Sequence, residues 1–416
     1  MLKILLIIIN VLCTIYGVYF VSIVLLGALK KCPGNPPAPA RKRIAAIICA
    51  RNEARVIAGS VRTLLAQNYP RELFDVWVVP NNCTDDTAEA ARAAGARVLD
   101  CTVPVKCKGD VLAFAFRELL AREHYDAFCI FDADNLVDPG FFQAANNALC
   151  AGVRVAQGYR DIKNPYESWV AGCMSVFFWF MSRFFNRGRH ALGLSTMLNG
   201  TGIVLSADLI RENGWRTYSL TEDLEYTAQC GLLGEKIGWM EDAILYDEQP
   251  NRFADSFEQR RRWYAGTLQI LGRYGPRLWA RSIRRGSVQA LDFAIFFTGA
   301  LTQFLGLVPG LLTVNLVAGW LYGCGGWPLL IGAGLAILLG FCAVCSLGAW
   351  VMCRLVRRPA GRMRRAIALF GPFLISWLPA NLFALIRRGG WKPIAHTSQA
   401  GLDQAAAARE ETHDQR

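Results

Sequence analysis

The chain has 416 residues, of which 53% are hydrophobic, with a mean hydropathy of +0.25 and a formal net charge of +12. This excludes an ordinary soluble globular chain and leaves room for a soluble domain of roughly 230 residues plus several membrane spans. The positive charge needs no nucleic-acid partner, because the basic runs at 41–43, 281–285 and 354–365 each flank an apolar stretch.

Residues 4–29 carry no charge and are long enough to cross a bilayer core of about 30 Å. No small-residue cleavage site follows, so the segment predicts a retained N-terminal anchor. A linker follows at 31–40, where Pro33, Pro36, Pro37 and Pro39 stop the helix. From 41 to 275 short apolar runs at 44–49, 74–79, 97–99 and 127–131 alternate with helical patterns at 54–66, 87–94 and 110–122. That alternation predicts an α/β domain built on a parallel sheet, with ligands outside the carboxyl ends of the strands. Further on, 166–185 is rich in aromatics and predicts contact with the membrane. Residues 224–233 read as helix, 237–246 as extended chain and 255–273 as helix.

Residues 291–322 and 328–353 each predict a span within a C-terminal membrane region, 291–388. Residues 367–386 contain Pro372 and Pro379 and predict a kinked helix at the cytoplasmic interface. The positive-inside pattern places the domain on the cytoplasmic side of a multi-pass cell-membrane protein. Residues 389–416 hold a polar tail, expected to be disordered beyond 397. The fourteen cysteines are scattered, and Cys342 and Cys345 lack the second pair that a zinc site needs, so they read as buried thiols in a reducing compartment.

Several motifs carry chemistry. Asp132 and Asp134 end an apolar strand, where carboxylates suit a hard divalent cation that neutralises a leaving diphosphate. The structural alternative is an acidic turn, with Asp138 capping a helix that opens at Pro139. Asp223 suits a general base, taking a proton from an acceptor hydroxyl. Its alternative is a capping box formed by Ser219 and Glu222. Gln259, Arg262 and Trp263, at i, i+3 and i+4, share one helix face. They suit a sugar-phosphate site, or else a surface helix with snorkelling arginines. Lys108 opens a helix where an anion can be met. Gly200, in the run 199–202, lets a ligand approach the backbone or simply makes a turn.

In this order the motifs resemble the membrane-embedded family 2 inverting glycosyltransferases, the class of cellulose, hyaluronan and poly-N-acetylglucosamine synthases. The likeness runs from about Arg43 to Trp263 and into the C-terminal spans. It is carried by Asp132-x-Asp134, Thr221-Glu222-Asp223, Gln259-x-x-Arg262-Trp263, Arg51 and Glu53 after the first strand, and Asn81 after the second. The resemblance implies a GT-A, Rossmann-like fold. It implies that Asp134 binds Mg²⁺ or Mn²⁺, that Asp132 contacts the nucleotide, and that Asp223 is the base. Gln259, Arg262 and Trp263 would line the diphosphate and acceptor, and Trp391 would belong to a loop closing over the donor. One departure stands out: where the family usually carries an aspartate that reads uracil, this chain has Asn81, whose amide oxygen still accepts from the uracil N3–H.

The expectation is a membrane-bound, metal-dependent transferase that moves a sugar from a UDP-sugar to a growing β-linked glycan. Two rivals stand beside it. One is a non-processive enzyme adding a single sugar to a lipid acceptor. The other is a catalytically inactive scaffold that binds nucleotide at the membrane.

Overall fold

Three of the apolar runs of the first half become strands because each is buried on both sides, while the run at 97–99 forms a short, partly exposed edge strand. In this computed structural model, which describes residues 2–386 and 401–402, β1 (Ile44–Ala50), β2 (Phe74–Pro80), β3 (Arg97–Val98) and β4 (Ala127–Asp132) pair in parallel, with β2 and β4 flanking β1. Helix α1 (Leu2–Leu29) precedes them, and α2 (Ile57–Leu65), α3 (Thr87–Ala93) and α4 (Lys108–Arg122) make the crossovers. Successive β1 residues feed opposite cores. Ala45 and Ile47 pack on one face with Phe128 and Val111, and Ala46 and Ile48 pack on the other with Ile57 and Phe131.

Beyond β4 the sheet is mixed rather than parallel throughout, which corrects the expectation. The later elements are β5 (Leu136–Val137), α5 (Phe141–Cys150), β6 (Val155–Ile162), α6 (Trp169–Phe180), a π-helical stretch (Met181–Asn186), α7 (Arg187–Ala191), β7 (Ile203–Ser206), α8 (Ala207–Asn213), α9 (Glu222–Leu233) and β8 (Ile237–Asp247). The order is β3-β2-β1-β4-β7-β6-β8-β5, with β7 antiparallel to both β4 and β6. The physical cause is where the connecting helices go. Helix α6 buries Met174, Trp179 and their neighbours against Ala349, Met352 and Phe373 of the C-terminal helices, so β7 re-enters the sheet from the opposite end.

The C-terminal half is helical: α10 (Phe253–Arg285), α11 (Val288–Leu305), α12 (Leu307–Leu355), α13 (Arg364–Ile375) and α14 (Trp377–Ile386). The expected span at 291–322 is interrupted, because α11 ends at Gly306, whose N–H bonds back to Thr302. Helix α12 kinks at Gly326 (φ 64°), just before Pro328. Residues 367–386 form two helices meeting at Ser376 rather than one. By length and composition, Ile4–Leu29, Val317–Leu355 and Arg364–Ile386 can each cross a membrane, and Val288–Thr302 is a shorter apolar helix. Trp391 and most of the 389–416 segment lie outside the described residues.

Helix α10 crosses the start of α9 at Gly266, where a Cβ would overlap the Thr221 side chain, lying 2.8 Å from its Cγ2. Gly266→Ala should therefore cost about 1–3 kcal/mol of stability. Adding Thr221→Ala should restore most of the loss, as read from denaturant midpoints in detergent. Additive losses in the double variant would refute this contact as the cause.

Candidate active site

The carboxyl ends of β1, β2 and β4 open into a cavity of about 470 Å³. Arg51 and Glu53 reach it from the turn after β1, where Asn52 takes a positive φ of 59°. Asn81 reaches it from the end of β2, Asp132 and Asp134 from the end of β4, and Lys108 from the first turn of α4. Gly200 (φ 80°) lies opposite Asp223, so that a Cβ there would sit 3.7 Å from Asp223 Oδ2. Glu222 and Asp223 come from the first turn of α9, and Gln259, Arg262 and Trp263 from one face of α10. Every residue singled out in the sequence, Trp391 excepted, lines this one cavity.

Its electrostatics are tightly arranged. Lys108 Nζ lies 2.5 Å from Asp132 Oδ1, 2.8 Å from the Gly200 carbonyl and 3.5 Å from Glu222 Oε1. Burial disfavours its charge, but Asp132 and Glu222 outweigh burial and hold its pKa above the usual lysine value. Behind Asp132, Asn135 Oδ1 accepts from the Asp132 amide at 3.0 Å, and Asn135 Nδ2 donates to Asp247 at 2.9 Å. Arg160 pairs with Asp247. Asp134 Oδ2 accepts from the Glu248 amide at 3.1 Å, and its carbonyl accepts from Lys163 Nζ, which pairs with Glu248 at 2.9 Å. Burial, with the charges of Asp134 and Asp132, pushes Asp247 up to about 6 against the pull of Arg160.

Asp223 is pushed up to about 7, first by burial and then by the neighbouring Glu222 charge, against the Leu224 amide, Lys108 and Arg160. The capping alternatives do not form. Thr221 is the N-cap of α9 without a side-chain bond, and Ser219 Oγ donates to the Thr221 carbonyl at 3.0 Å. Helix α5 starts at Phe141, with Gly140 as its cap, not at Pro139. Arg262, though partly buried, is no snorkelling surface arginine; burial lowers its pKa, and Glu222, Asp132 and Asp223 partly offset that.

Carboxylates outnumber cations along the wall: Glu53, Asp132, Asp134, Glu222, Asp223, Asp247 and Glu248 against Arg51, Lys106, Lys108, Arg160 and Arg262. A wall this acidic repels a diphosphate unless a cation joins it. Among the described residues no three acidic, His or Cys side chains converge to cage a metal. The donor set fits a hard divalent ion that takes one or two carboxylates and draws its other ligands from phosphate. Asn199 Nδ2, Thr221 Oγ1 and Gln259 Oε1 are buried polar atoms with no hydrogen-bond partner among the described residues, a pattern that suits ligand hydroxyls.

Reading the sequence missed Arg160, Asp247 and Glu248, and it took the run 199–202 for its backbone rather than for the Asn199 side chain. A signal existed for two of them, since Asp247 and Glu248 directly follow the expected strand at 237–246. It also missed the far end of the cavity, walled by Tyr16 of α1, Phe296, Gly299 and Ala300 of α11, and Trp377 of α14.

A family model described as glycosyltransferase like family 2 matches residues 39–266. The probable glycosyltransferase YdaM of Bacillus subtilis is 23% identical over 290 residues, covering 66% of this chain and 66% of its own. The β-monoglucosyldiacylglycerol synthase of Synechocystis sp. is 25% identical over 284 residues, covering 65% of this chain and 57% of its own. The chain thus spans less than two thirds of the length of either relative. Among solved structures, the mannosyltransferase PcManGT from Pyrobaculum calidifontis, in complex with GDP-Man and Mn²⁺, aligns at a TM-score of 0.58 and 18% identity. The alignment covers 90% of this chain and 99% of that one. The two share a GT-A-like α/β fold with a mixed sheet.

Lys108→Met should cost about 1–3 kcal/mol, because Asp132 and Glu222 lose a charged partner. The deficit should shrink as pH falls from 7 towards 5. Asp223, raised by burial and by Glu222 and pulled down by Lys108, then titrates higher still, so its protonation favours the native state. A pH-independent deficit in chemical denaturation would argue that the lysine acts through packing alone.

Proposed function

The chain belongs to glycosyltransferase family 2, and from that premise we propose that it transfers a hexosyl group, with inversion, from a UDP-sugar to a hydroxyl of a lipid-linked acceptor at the cytoplasmic face of the membrane. The observation that carries this reading is one cavity, polar and acidic where the strands end and mostly apolar where α1, α11 and α14 meet, with the buried Asn381 of α14 as the polar exception. A nucleotide-sugar suits the first end and an amphiphile the second. That apolar end favours the lipid acceptor over extension of a β-linked glycan, because a sliding sugar chain asks for polar groups along its path.

In this reading Asp134, with Asp132 beside it, holds Mg²⁺ or Mn²⁺, which when bound offsets the charge of the departing diphosphate. Lys108, held by Asp132 and Glu222, and Arg262 present cations to the phosphates. The amide oxygen of Asn81, whose Nδ2 donates to the Ala50 carbonyl at 3.0 Å, accepts from the base. Arg51 and Glu53 flank the nucleotide. Gln259 and the buried Asn199 amide meet sugar hydroxyls, and Trp263 offers a flat face to the acceptor. Asp223 takes the acceptor's proton as its oxygen attacks the anomeric carbon from the side opposite the leaving diphosphate. Raised to about 7, Asp223 is basic enough to accept that proton while about half of it is ionised at neutral pH.

The test is to incubate the detergent-solubilised protein with Mn²⁺, labelled UDP-sugars and diacylglycerol. One β-linked glycolipid is expected. A ladder of oligosaccharides would favour the polymer reading, and absence of nucleotide release from any UDP-sugar would sink the donor assignment. Asp134→Ala should abolish turnover at any Mn²⁺ concentration while the fold persists; near-normal turnover, or full wild-type activity in excess chelator, would remove the metal from the scheme. Wild-type kcat should rise with pH through about 7 as Asp223 ionises. Asp223→Asn should lower it by roughly 10²–10⁴-fold and erase that limb. An unchanged pH profile in the variant would rule Asp223 out as the base.

A further inference from the structure

We propose that α1 is a wall of the acceptor site as well as an anchor, and that Tyr16, seated on Gly299, gauges the hydrocarbon chain the site admits. The inference rests on the lipid-acceptor reading and deepens it.

An anchor that only spans the bilayer needs no fixed partner on any face, yet one face of α1 is fixed. Cys13, Tyr16, Tyr19, Ile23 and Gly27 recur every three or four residues and so form one stripe. Gly27 meets the backbone of Gly188 in α7 so closely that a Cβ would overlap it. The Tyr19 hydroxyl donates to Asp292 Oδ1 at 2.6 Å and accepts from Arg189 at 3.0 Å, while Arg189 pairs with Asp292. Cys13 Sγ lies 3.7 Å from the Thr302 carbonyl. Residues on the other faces, such as Ile7, Ile15 and Val18, are exposed. The helix is therefore held in register against α7 and α11, and Tyr16 cannot swing away with it.

Tyr16 lies within this stripe and lines the cavity, as do Gly299 and Ala300. Its ring rests on Gly299 so tightly that a Cβ at 299 would overlap the ring. The catalytic domain packs on α1 as far as Phe20 and Tyr19, through Phe185 and Arg189, and at about 1.5 Å per residue Tyr16 stands roughly 5 Å beyond that contact. The cavity thus reaches the part of α1 that packs on the apolar helix α11 rather than on the catalytic domain. A headgroup hydroxyl near Asp223 leaves its chain to run towards Tyr16. The phenol ring closes that end, so chain length is read by the room it leaves.

The experiment compares diacylglycerols of short, medium and long acyl chains as acceptors for the wild type, Tyr16→Ala, Gly299→Ala and the double variant. Calorimetric UDP affinity serves as the folding control, since neither residue lies at the nucleotide end. Tyr16→Ala should shift the ratio of kcat/KM for long over medium chains upward by roughly tenfold. Gly299→Ala, which displaces the ring, should also alter the chain-length profile, and the double variant should return it towards that of Tyr16→Ala. A chain-length profile that is the same in all four proteins, with glycolipid still formed, overturns the gauge and leaves the lipid reading standing. A wild type that glycosylates a soluble glycan primer but no diacylglycerol overturns both.

Discussion

Buried carboxylates at the ends of the parallel strands repel one another, and the site depends on how they are held. Isolated, each ionised acid would be too costly to bury. The fold answers with paired partners: Lys108 against Asp132 and Glu222, Arg160 against Asp247, and Lys163 against Glu248. The mixed half of the sheet makes this possible. Arg160 stands on β6, Lys163 just after it, and Asp247 and Glu248 close β8, which runs parallel to β6, so the two charged strand ends arrive side by side. The pairing is incomplete by design of composition, because acids still exceed bases along the wall. That residual charge makes a divalent cation and a diphosphate complementary guests: neither suits the site well without the other.

The second constraint is that the acidic end and the apolar end share one space. Helix α10 joins them. Its Gln259 and Arg262 face the acids, while Trp263 packs edge-on to Phe178 and near Trp377 of α14. Gly266, one turn on, lets α10 approach Thr221, the N-cap of the helix that carries Asp223. The acidic site and the apolar C-terminal helices are thus coupled through one rigid element rather than through a linker. The α/β domain is built against the long apolar helices, through α6 on α12 and α13 and through α7 on α1, which also packs on α11.

Much of this was legible in the sequence, and the parts that were not share a cause. The runs at β1, β2 and β4 are apolar throughout, so their strands and the acids at their ends could be read off directly. Strand β6 could not, because Gln157, Arg160 and Asp161 are buried polar residues that break any apolar run, and only their partners across the fold make them tolerable inside. The mixed direction of the sheet was hidden for a related reason. Helix α6 looks like any apolar helix, and nothing local says that it packs on membrane helices instead of crossing the sheet. Tyr16 was hidden most deeply: its stripe with Cys13, Tyr19, Ile23 and Gly27 lies in a segment whose other faces are just as apolar, and its role emerges only from the glycine it faces. The break at Gly306 was readable in principle, since Gly306, Pro309 and Gly310 crowd one short stretch of an otherwise spanning pattern.

The most direct test of the charge account is calorimetric titration of UDP into the purified protein, with Mn²⁺ and then with excess chelator, at fixed ionic strength. If excess carboxylate charge governs the site, UDP binds with Mn²⁺ present and its affinity falls by at least an order of magnitude without it, while Asp134→Ala binds weakly under both conditions. Equal affinity with and without the cation would contradict the account, because it would mean that the cationic side chains alone suffice to hold the diphosphate.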